Sequence, residues 1–269
     1  MTSSLEPIRV VINGALGRMG QEITKAVVCE PGLKAVGAVE KEVTQKYLPL
    51  AEAAELIPFS SDLESLLRSC NADVVVDFTN AEVSIAAARI AIKQKVNMVI
   101  GTTGLSQENL AEIEQLCQVN KVGAVVAPNF SMGAALLIHL SKFAAKFFDH
   151  AEIIEMHHEK KADAPSGTAI ATARAMSQAR GKPFIYPEVI REVVSNTRGG
   201  QIDGIAIHSL RLPGFMAGQE VIFGRAGETL SLLHNVISRE CYLPGIMLAI
   251  REVTKHKGLT YGLDALLKL

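Results

Sequence analysis

The first 130 residues alternate short apolar runs with amphipathic stretches, and no other feature limits the possible folds as much. The runs at 8–13, 33–39, 72–78, 97–100 and 122–127 are apolar at successive positions, so both faces of each must be buried. Helical patterns separate most of them, one ending near Cys29 and others at 61–67, 82–95 and 107–119. Strands apolar on both faces and separated by helices imply a parallel sheet covered on both sides. Residues 42–58 are the least regular part and read as helix or loop.

The pattern changes after Asn129. A helical stretch at 133–148 precedes a strand at 151–156, and a second helix follows at 169–179. Three strand-like runs at 205–212, 220–224 and 229–237 then come without intervening helices, bent at Pro213-Gly214 and Arg225-Ala226-Gly227. That is a mixed or largely antiparallel sheet. The tail returns to helix at 245–253 and 264–269. The expected fold class is α/β: a Rossmann-like domain, residues 1–130 plus 241–269, with an inserted α+β domain at 131–240.

The segment Gly14-Ala15-Leu16-Gly17-Arg18-Met19-Gly20 lies between a strand and a helix, the setting a dinucleotide fingerprint needs. Gly14 allows the tight turn, Gly17 lets backbone approach a pyrophosphate, and Gly20 permits close helix–strand packing. Its spacing departs from the commonest Gly-x-Gly-x-x-Gly, and no Gly-Lys-Ser/Thr follows to make it a P-loop. Glu40, 20 residues beyond Gly20 at the end of the next strand, can accept hydrogen bonds from a ribose. Arg18 and Lys41 can meet a 2′-phosphate instead, so NADH and NADPH both stay open. Two further loops fall at carboxyl ends of strands: Gly101-Thr102-Thr103-Gly104 and Ala127-Pro128-Asn129-Phe130-Ser131. Alone they are ordinary turns; beside the fingerprint they form a nicotinamide shelf, with the Asn129 amide facing the carboxamide.

The densest chemistry is in Glu155-Met156-His157-His158-Glu159-Lys160-Lys161-Ala162-Asp163-Ala164-Pro165-Ser166-Gly167-Thr168. A strand end, a polar loop and a helix start meet here. The backbone N–H groups of Gly167 and Thr168 point out of the helix start, where an anion is favoured. His157, His158 and Lys161 supply protons or positive charge, which suits a small doubly anionic substrate that needs a proton. The plainer readings are a core histidine on one strand face and a Ser166 helix cap. A metal at His157, His158, Glu159 and Asp163 is not expected, because neither His-Glu-x-x-His nor Cys-x-x-Cys occurs.

Composition narrows the classes further. A net charge of −1 leaves no basic excess for nucleic acid, and 5% aromatics with no Trp leave few stacking platforms. The scattered cysteines Cys29, Cys70, Cys117 and Cys241 read as thiols of a reducing cytoplasm. Residues 1–9 carry no secretory pattern, and His139, Lys142 and Lys146 interrupt the longest apolar helix, so no membrane span is expected.

As a set these motifs resemble the 4-hydroxy-tetrahydrodipicolinate reductase (dihydrodipicolinate reductase) family of the diaminopimelate route to lysine. The resemblance runs in order through the glycine segment, Val76-Asp77-Phe78-Thr79, Gly101-Thr102-Thr103-Gly104, Pro128-Asn129-Phe130-Ser131, the stretch from Glu155 to Thr168, His234 and Ser238-Arg239. It implies hydride transfer from NADH or NADPH to C4 of a small dicarboxylate ring, with loss of water. It implies His157 as acid/base catalyst and Lys161 as proton donor, with His158, Ser166, Gly167 and Thr168 on the substrate. It also implies a dinucleotide-binding first domain, an inserted domain for substrate and oligomerisation, a homotetramer and no metal. The segment 42–58 and Gln219, where many members have histidine, depart from the family pattern. Two rivals are weighed against it. A dinucleotide-binding redox sensor would have no use for His157 and Lys161. The second is another two-domain NAD(P)-dependent oxidoreductase acting on a small dicarboxylate, such as an aspartate-semialdehyde or sugar dehydrogenase; the semialdehyde enzymes would need a nucleophilic cysteine, and the His157-His158-x-x-Lys161 spacing speaks against the class.

Overall fold

The computed structural model describes residues 6–49 and 56–269. The readings made on residues 1–5, and on 50–55 within the 42–58 stretch, lie outside the described residues. The chain divides into two compact units, Met1–Met132 with Arg239–Leu269, and Gly133–Ser238.

In the first unit the elements run β1 (Ile8–Asn13), α1 (Arg18–Cys29), β2 (Leu33–Val39), β3 (Tyr47–Leu48), β4 (Ile57–Ser60), α2 (Leu63–Ser69), β5 (Val74–Asp77), α3 (Ala81–Lys93), β6 (Asn97–Ile100), α4 (Gln107–Asn120) and β7 (Gly123–Val126). Val10, Val11, Val74, Val75, Val76, Met98, Val99 and Ile100 have no exposure at all, as strands covered on both faces require. From β4 through β2, β1, β5 and β6 to β7 the strands are parallel neighbours in that order. The order reverses between β1 and β5, so the carboxyl ends of these two strands flank the crevice where open α/β sheets take ligands. Each following helix starts with a cap where its loop allows one: Asp62 accepts from Ser65 N–H, Asn80 from Val83 N–H, and Ser106 from Asn109 N–H.

The second unit holds α5 (Met132–Ala144), β8 (His150–His157), α6 (Gly167–Arg180), β9 (Gly200–Ile202), β10 (Ile205–Arg211), β11 (Ala217–Arg225) and β12 (Glu228–Val236). Its sheet has the order β12-β11-β8-β10-β9, parallel between β8 and β10 and antiparallel elsewhere. Leu137 and Ala144 from α5, and Ala169, Ala173 and Met176 from α6, pack with Ala151, Ile153, Val221 and Phe223 into one core. The chain then returns to the first unit through a 3₁₀ turn (Arg239–Tyr242), α7 (Leu243–Val253), β13 (Gly258–Tyr261) and α8 (Leu263–Leu267).

Five elements differ from the sequence expectation. Within 42–58, Tyr47–Leu48 and Ile57–Ser60 pair as antiparallel strands instead of forming helix or loop. Pro58 cannot donate in a helix interior, while Ile57 and Phe59 alternate inward as a strand demands. β13 extends the first sheet beside β7, and β9 adds a short outer edge to the second sheet. The long helix stops at Ala144 in a tight turn, which sets the Phe148 ring 5.5 Å from Phe223. No helix among the described residues is long and apolar enough to cross a membrane.

Candidate active site

The glycine segment closes β1 onto α1 through backbone alone. Gly14, at φ +80°, donates its N–H to the Val39 carbonyl at 2.9 Å, and Gly17 donates back to Gly14 at 3.1 Å. A Cβ on Gly20 would lie 1.9 Å from the Gly14 carbonyl oxygen, so nothing larger fits where α1 crosses the turn. No side chain caps the N-terminus of α1, and Leu16, Gly17 and Arg18 beside it are exposed while Met19 is half-buried. Ala15 lies beneath them, fully covered. Glu40 reaches back to this loop: one carboxylate oxygen accepts from Leu16 N–H at 3.1 Å, the other from its neighbour Lys41 N–H at 2.9 Å. Each oxygen keeps a lone pair. The Lys41 and Arg18 residues are both exposed near this edge. A bare helix start, a loop without side-chain bulk and an anchored acid fit a dinucleotide.

The other two loops are tied to the same end of the sheet. Gly101 passes under Phe78, whose ring atoms lie 2.1 Å from where a Gly101 Cβ would stand. The Phe78 ring packs against Phe130 at 5.6 Å between centroids. The Thr102 hydroxyl points inward, donating to Asp77 at 3.1 Å, whereas Thr103 is exposed. Ala127 is buried, Pro128 exposed, and the Asn129 side-chain carbonyl accepts from Ser131 N–H at 2.8 Å, which leaves its amide N–H₂ group to donate.

In the second unit the period of a strand explains which histidine is which. His157 shares a face of β8 with Ala151, Ile153 and Glu155, the face that α5 and α6 cover. Glu155 is fully buried. It accepts from His157 Nδ1 at 2.5 Å and from Arg211 through Nη1 at 3.0 Å and Nη2 at 2.7 Å. Arg211 stands opposite His157 in the β8–β10 register and also donates to the Asp163 carbonyl at 2.6 Å, which fastens the loop after β8. With Nδ1–H directed at Glu155, the neutral His157 ring presents Nε2 as an acceptor. Burial pushes the imidazole below its ordinary value; Glu155 pulls it back only in part, and the charges on Lys161 and Arg211 depress it further. Burial would raise Glu155, but hydrogen bonds from Arg211, Ser209 and His157 outweigh it and hold the carboxyl below the usual range.

His158 faces the other way and is exposed, its Nδ1 accepting from Lys160 N–H at 3.2 Å. Lys161 Nζ sits 2.7 Å from the exposed Asp163 carboxylate. The buried Ser166 hydroxyl caps α6 by accepting from Ala169 N–H at 3.2 Å. Gly167 is exposed, with open space where a Cβ would stand, and Thr168 is half-buried at the same helix start. The group can therefore receive an anion on the α6 N–H groups, with an ammonium and an imidazole nearby. Arg211, which the sequence reading passes over, belongs to this group. No local sequence signal marks it; the parallel pairing of β10 with β8 places it opposite His157. Gln219, opposite Glu155 on β11, is buried and donates to the Thr172 hydroxyl at 2.9 Å.

Three of the four cysteines are held by burial as poor nucleophiles. Burial pushes the Cys117 thiol up to about 12 and raises Cys70 and Cys241 as well. No group of three or more His, Cys, Asp or Glu able to hold a metal occurs among the described residues.

A parallel sheet with a glycine loop at its switch point, joined to a mixed sheet carrying a buried acid–imidazole pair, defines a two-unit α/β oxidoreductase of the NAD(P)-binding kind. Comparison with known proteins narrows this. The family described as dihydrodipicolinate reductase matches residues 8–130 by its N-terminal part and 133–267 by its C-terminal part. A 4-hydroxy-tetrahydrodipicolinate reductase of Dehalococcoides mccartyi is 51% identical over 265 residues, covering 98% of this chain and 100% of the relative. Another from Moorella thermoacetica is 46% identical, covering 97% of this chain and 98% of that one. The solved structure of dipicolinate-bound dihydrodipicolinate reductase from Paenisporosarcina sp. TG-14 matches with a TM-score of 0.86 at 37% identity, over 96% of this chain and 98% of that chain. The chain belongs to the dihydrodipicolinate reductase family, the NAD(P)H-dependent 4-hydroxy-tetrahydrodipicolinate reductases of lysine biosynthesis by the diaminopimelate route. Neither the sensor nor the semialdehyde-type alternative is favoured by these matches. Amine dehydrogenase from Mycobacterium smegmatis, at 17% identity and a TM-score of 0.64, shares the fold alone.

The Glu155 contact has a direct consequence for pH. Both groups are depressed in the fold, so each stabilises it above its unfolded value, about 6.5 for His and 4.3 for Glu. That stabilisation is lost as pH falls through the folded value. Glu155→Gln keeps one acceptor oxygen but removes the negative charge that holds His157 up, so the ring will titrate lower still in an NMR titration of its ring protons. The variant also leaves the Arg211 charge without its carboxylate partner, and denaturant unfolding will show a loss of roughly 3–5 kcal/mol. An unchanged His157 midpoint would mean that the ring does not sense the carboxylate.

Proposed function

We propose that the first unit binds NADH or NADPH and that the second unit binds the ring dicarboxylate and serves its protonation. The observation that carries this reading is the buried Glu155, which aims His157 beside Lys161 and the start of α6. On the coenzyme side, the N–H groups at the start of α1 take the pyrophosphate, with Gly14, Ala15, Leu16, Gly17, Arg18 and Met19 as the cradle. Glu40 takes the ribose, Arg18 and Lys41 meet a 2′-phosphate, and the loops Gly101–Thr103 and Ala127–Phe130 support the nicotinamide. The bound coenzyme supplies a hydride to C4 of the ring.

On the substrate side, Gly167 and Thr168 N–H groups hold one carboxylate and His158 the other, with Ser166 shaping the cradle through its cap. Hydride arrival places negative charge on the ring nitrogen, and the Lys161 ammonium, oriented by Asp163, neutralises it by giving a proton. His157, neutral near pH 7, accepts through Nε2 and orients the substrate, or takes the ring C–H proton lost in the elimination and returns it to the departing C4 hydroxyl, which leaves as water. The dipicolinate in the Paenisporosarcina protein, a flat ring with two carboxylates, supports a substrate of this shape. No nucleic acid, membrane or metal takes part in this reading. The free thiols support a cytoplasmic location.

Lys161→Ala is expected to lower kcat by about 10²–10⁴-fold, the usual worth of one proton donor. Coenzyme affinity, measured by direct titration, stays within about twofold, a change of roughly 0.4 kcal/mol. The assay is coenzyme oxidation with the ring substrate made in place from pyruvate and aspartate semialdehyde by its synthase. Full turnover in the variant would remove Lys161 from the mechanism.

Because Glu40 favours a free ribose and Arg18 with Lys41 a phosphate, both coenzymes serve. Their kcat/KM values should differ by less than about a hundredfold, some 2.7 kcal/mol. A larger preference measured side by side contradicts dual use.

The assembly proposed is a homotetramer built through the second unit. The edge strand β12 exposes Leu233 at 58% on the sheet face away from α5 and α6, a surface that a second sheet would cover. Light scattering of the purified chain should return about four times the 28.9 kDa of one protomer. A monomer mass at micromolar concentration would rule the assembly out.

A further inference from the structure

The first unit contains a second fully buried carboxylate, and nothing proposed so far uses it. Asp77 ends β5 at the switch point, beside Asn13 at the end of β1, with which it is in parallel register. Asn13 Nδ2 donates to it at 2.5 Å, the Thr79 hydroxyl at 2.9 Å, the Thr102 hydroxyl at 3.1 Å, and the Ser84 hydroxyl of α3 also donates to it. Thr79 N–H adds a longer bond at 3.3 Å, and Ser84 and Thr102 are 2.7 Å apart. All of these partners are neutral, and no cation among the described residues pairs with Asp77.

Each donor belongs to a different stretch facing the same crevice. Asn13 immediately precedes Gly14 of the glycine turn. Thr79 follows Phe78, and its methyl group lies 2.7 Å from where a Gly14 Cβ would stand. Thr102 sits in the loop after β6, and Gly101 N–H donates to the Asp77 carbonyl at 2.9 Å. One buried carboxylate thus gathers the ends of β1, β5 and β6 together with the first turns of α3. A charge desolvated to this degree is tolerated only while its donors stay in place. The same donors therefore hold the loops in one geometry before any ligand arrives.

We infer that Asp77 is a positioning residue for coenzyme binding: it sets the spacing between the glycine turn and the Gly101–Thr103 loop. This rests on the reading of the first unit as the coenzyme unit. Asp77 touches no reacting atom. Its effect is on the order of loops that would otherwise have to be fixed at the moment of binding.

The test is isothermal titration of the full-length protein with NADPH and with NADH, alongside steady-state kinetics in the ring substrate. Asp77→Asn keeps the shape but replaces one acceptor oxygen by an N–H₂ group facing donors. Its coenzyme Kd should rise about tenfold or more, while KM for the ring substrate changes by less than about twofold. Ser84→Ala, which removes one donor and leaves the carboxylate, should raise the coenzyme Kd a few-fold, and it decides the matter if Asp77→Asn does not fold. Folded variants with the parent's coenzyme Kd overturn the inference while leaving the proposed function intact. A rise in both constants by the same factor overturns it too, since that is a general loss of folded protein. A parent chain that binds neither coenzyme removes this inference together with the reading on which it rests.

Discussion

A carboxylate taken out of water has to be met by donors, and the second unit is arranged around that requirement at Glu155. The side chain has no exposure, and three elements converge to answer it: β8 through His157, β10 through Arg211 and Ser209, and the 158–166 loop through the Arg211 bond to Asp163. Leaving such a charge unpaired would cost several kcal/mol, more than most single contacts return. The register between β8 and β10, the aim of the imidazole and the path of the loop toward α6 are consequently one solution to one problem. Moving any of them exposes an unmet charge in the core.

The first unit meets the same requirement with neutral groups. Asp77 is surrounded by an amide and three hydroxyls, without an arginine or lysine partner among the described residues. The difference suits what each unit is proposed to hold. A cation at Asp77 would stand beside a bound pyrophosphate and bind it whether or not the loops were ordered. Hydroxyl and amide donors neutralise the carboxylate by geometry instead and leave the anion to the uncapped α1 terminus. At Glu155 the cation is useful, because Arg211 favours the ionised carboxylate, whose charge strengthens the bond from His157 Nδ1–H.

Much of this was legible in the sequence where the signal is local. Apolar runs such as 8–13 and 97–100 announce strands because both faces are buried, and Gly14 to Gly20 announces the turn because only glycine fits there. The His157-to-Thr168 stretch is legible as a strand end, loop and helix start for the same reason. What escaped is what depends on a distant neighbour. β13 has four residues and modest burial, and its pairing with β7 creates it. β3 and β9 are equally short edge pieces whose composition does not set them apart. Arg211 is an ordinary charged residue until the parallel pairing of β10 with β8 places it opposite His157, 54 residues away by the difference of the two numbers. Glu155 lies inside the recognised stretch, yet its burial follows from two helices packing over that face.

The placement of Glu155 also bears on how protons are shared out in the proposed chemistry. An imidazole whose Nδ1–H is committed to a buried carboxylate, and whose pKa burial holds below its ordinary value, is neutral near pH 7 and offers only a lone pair at Nε2. Such a ring can take a proton or accept a hydrogen bond, but it is a poor source of one. Lys161 is placed differently: it is half-buried, and its Nζ is held by the exposed Asp163 carboxylate at 2.7 Å. The two groups lie close enough for the Lys161 charge to depress the imidazole further. The proposed division of labour, donor at Lys161 and acceptor at His157, rests on which of the two the fold pairs with a buried acid.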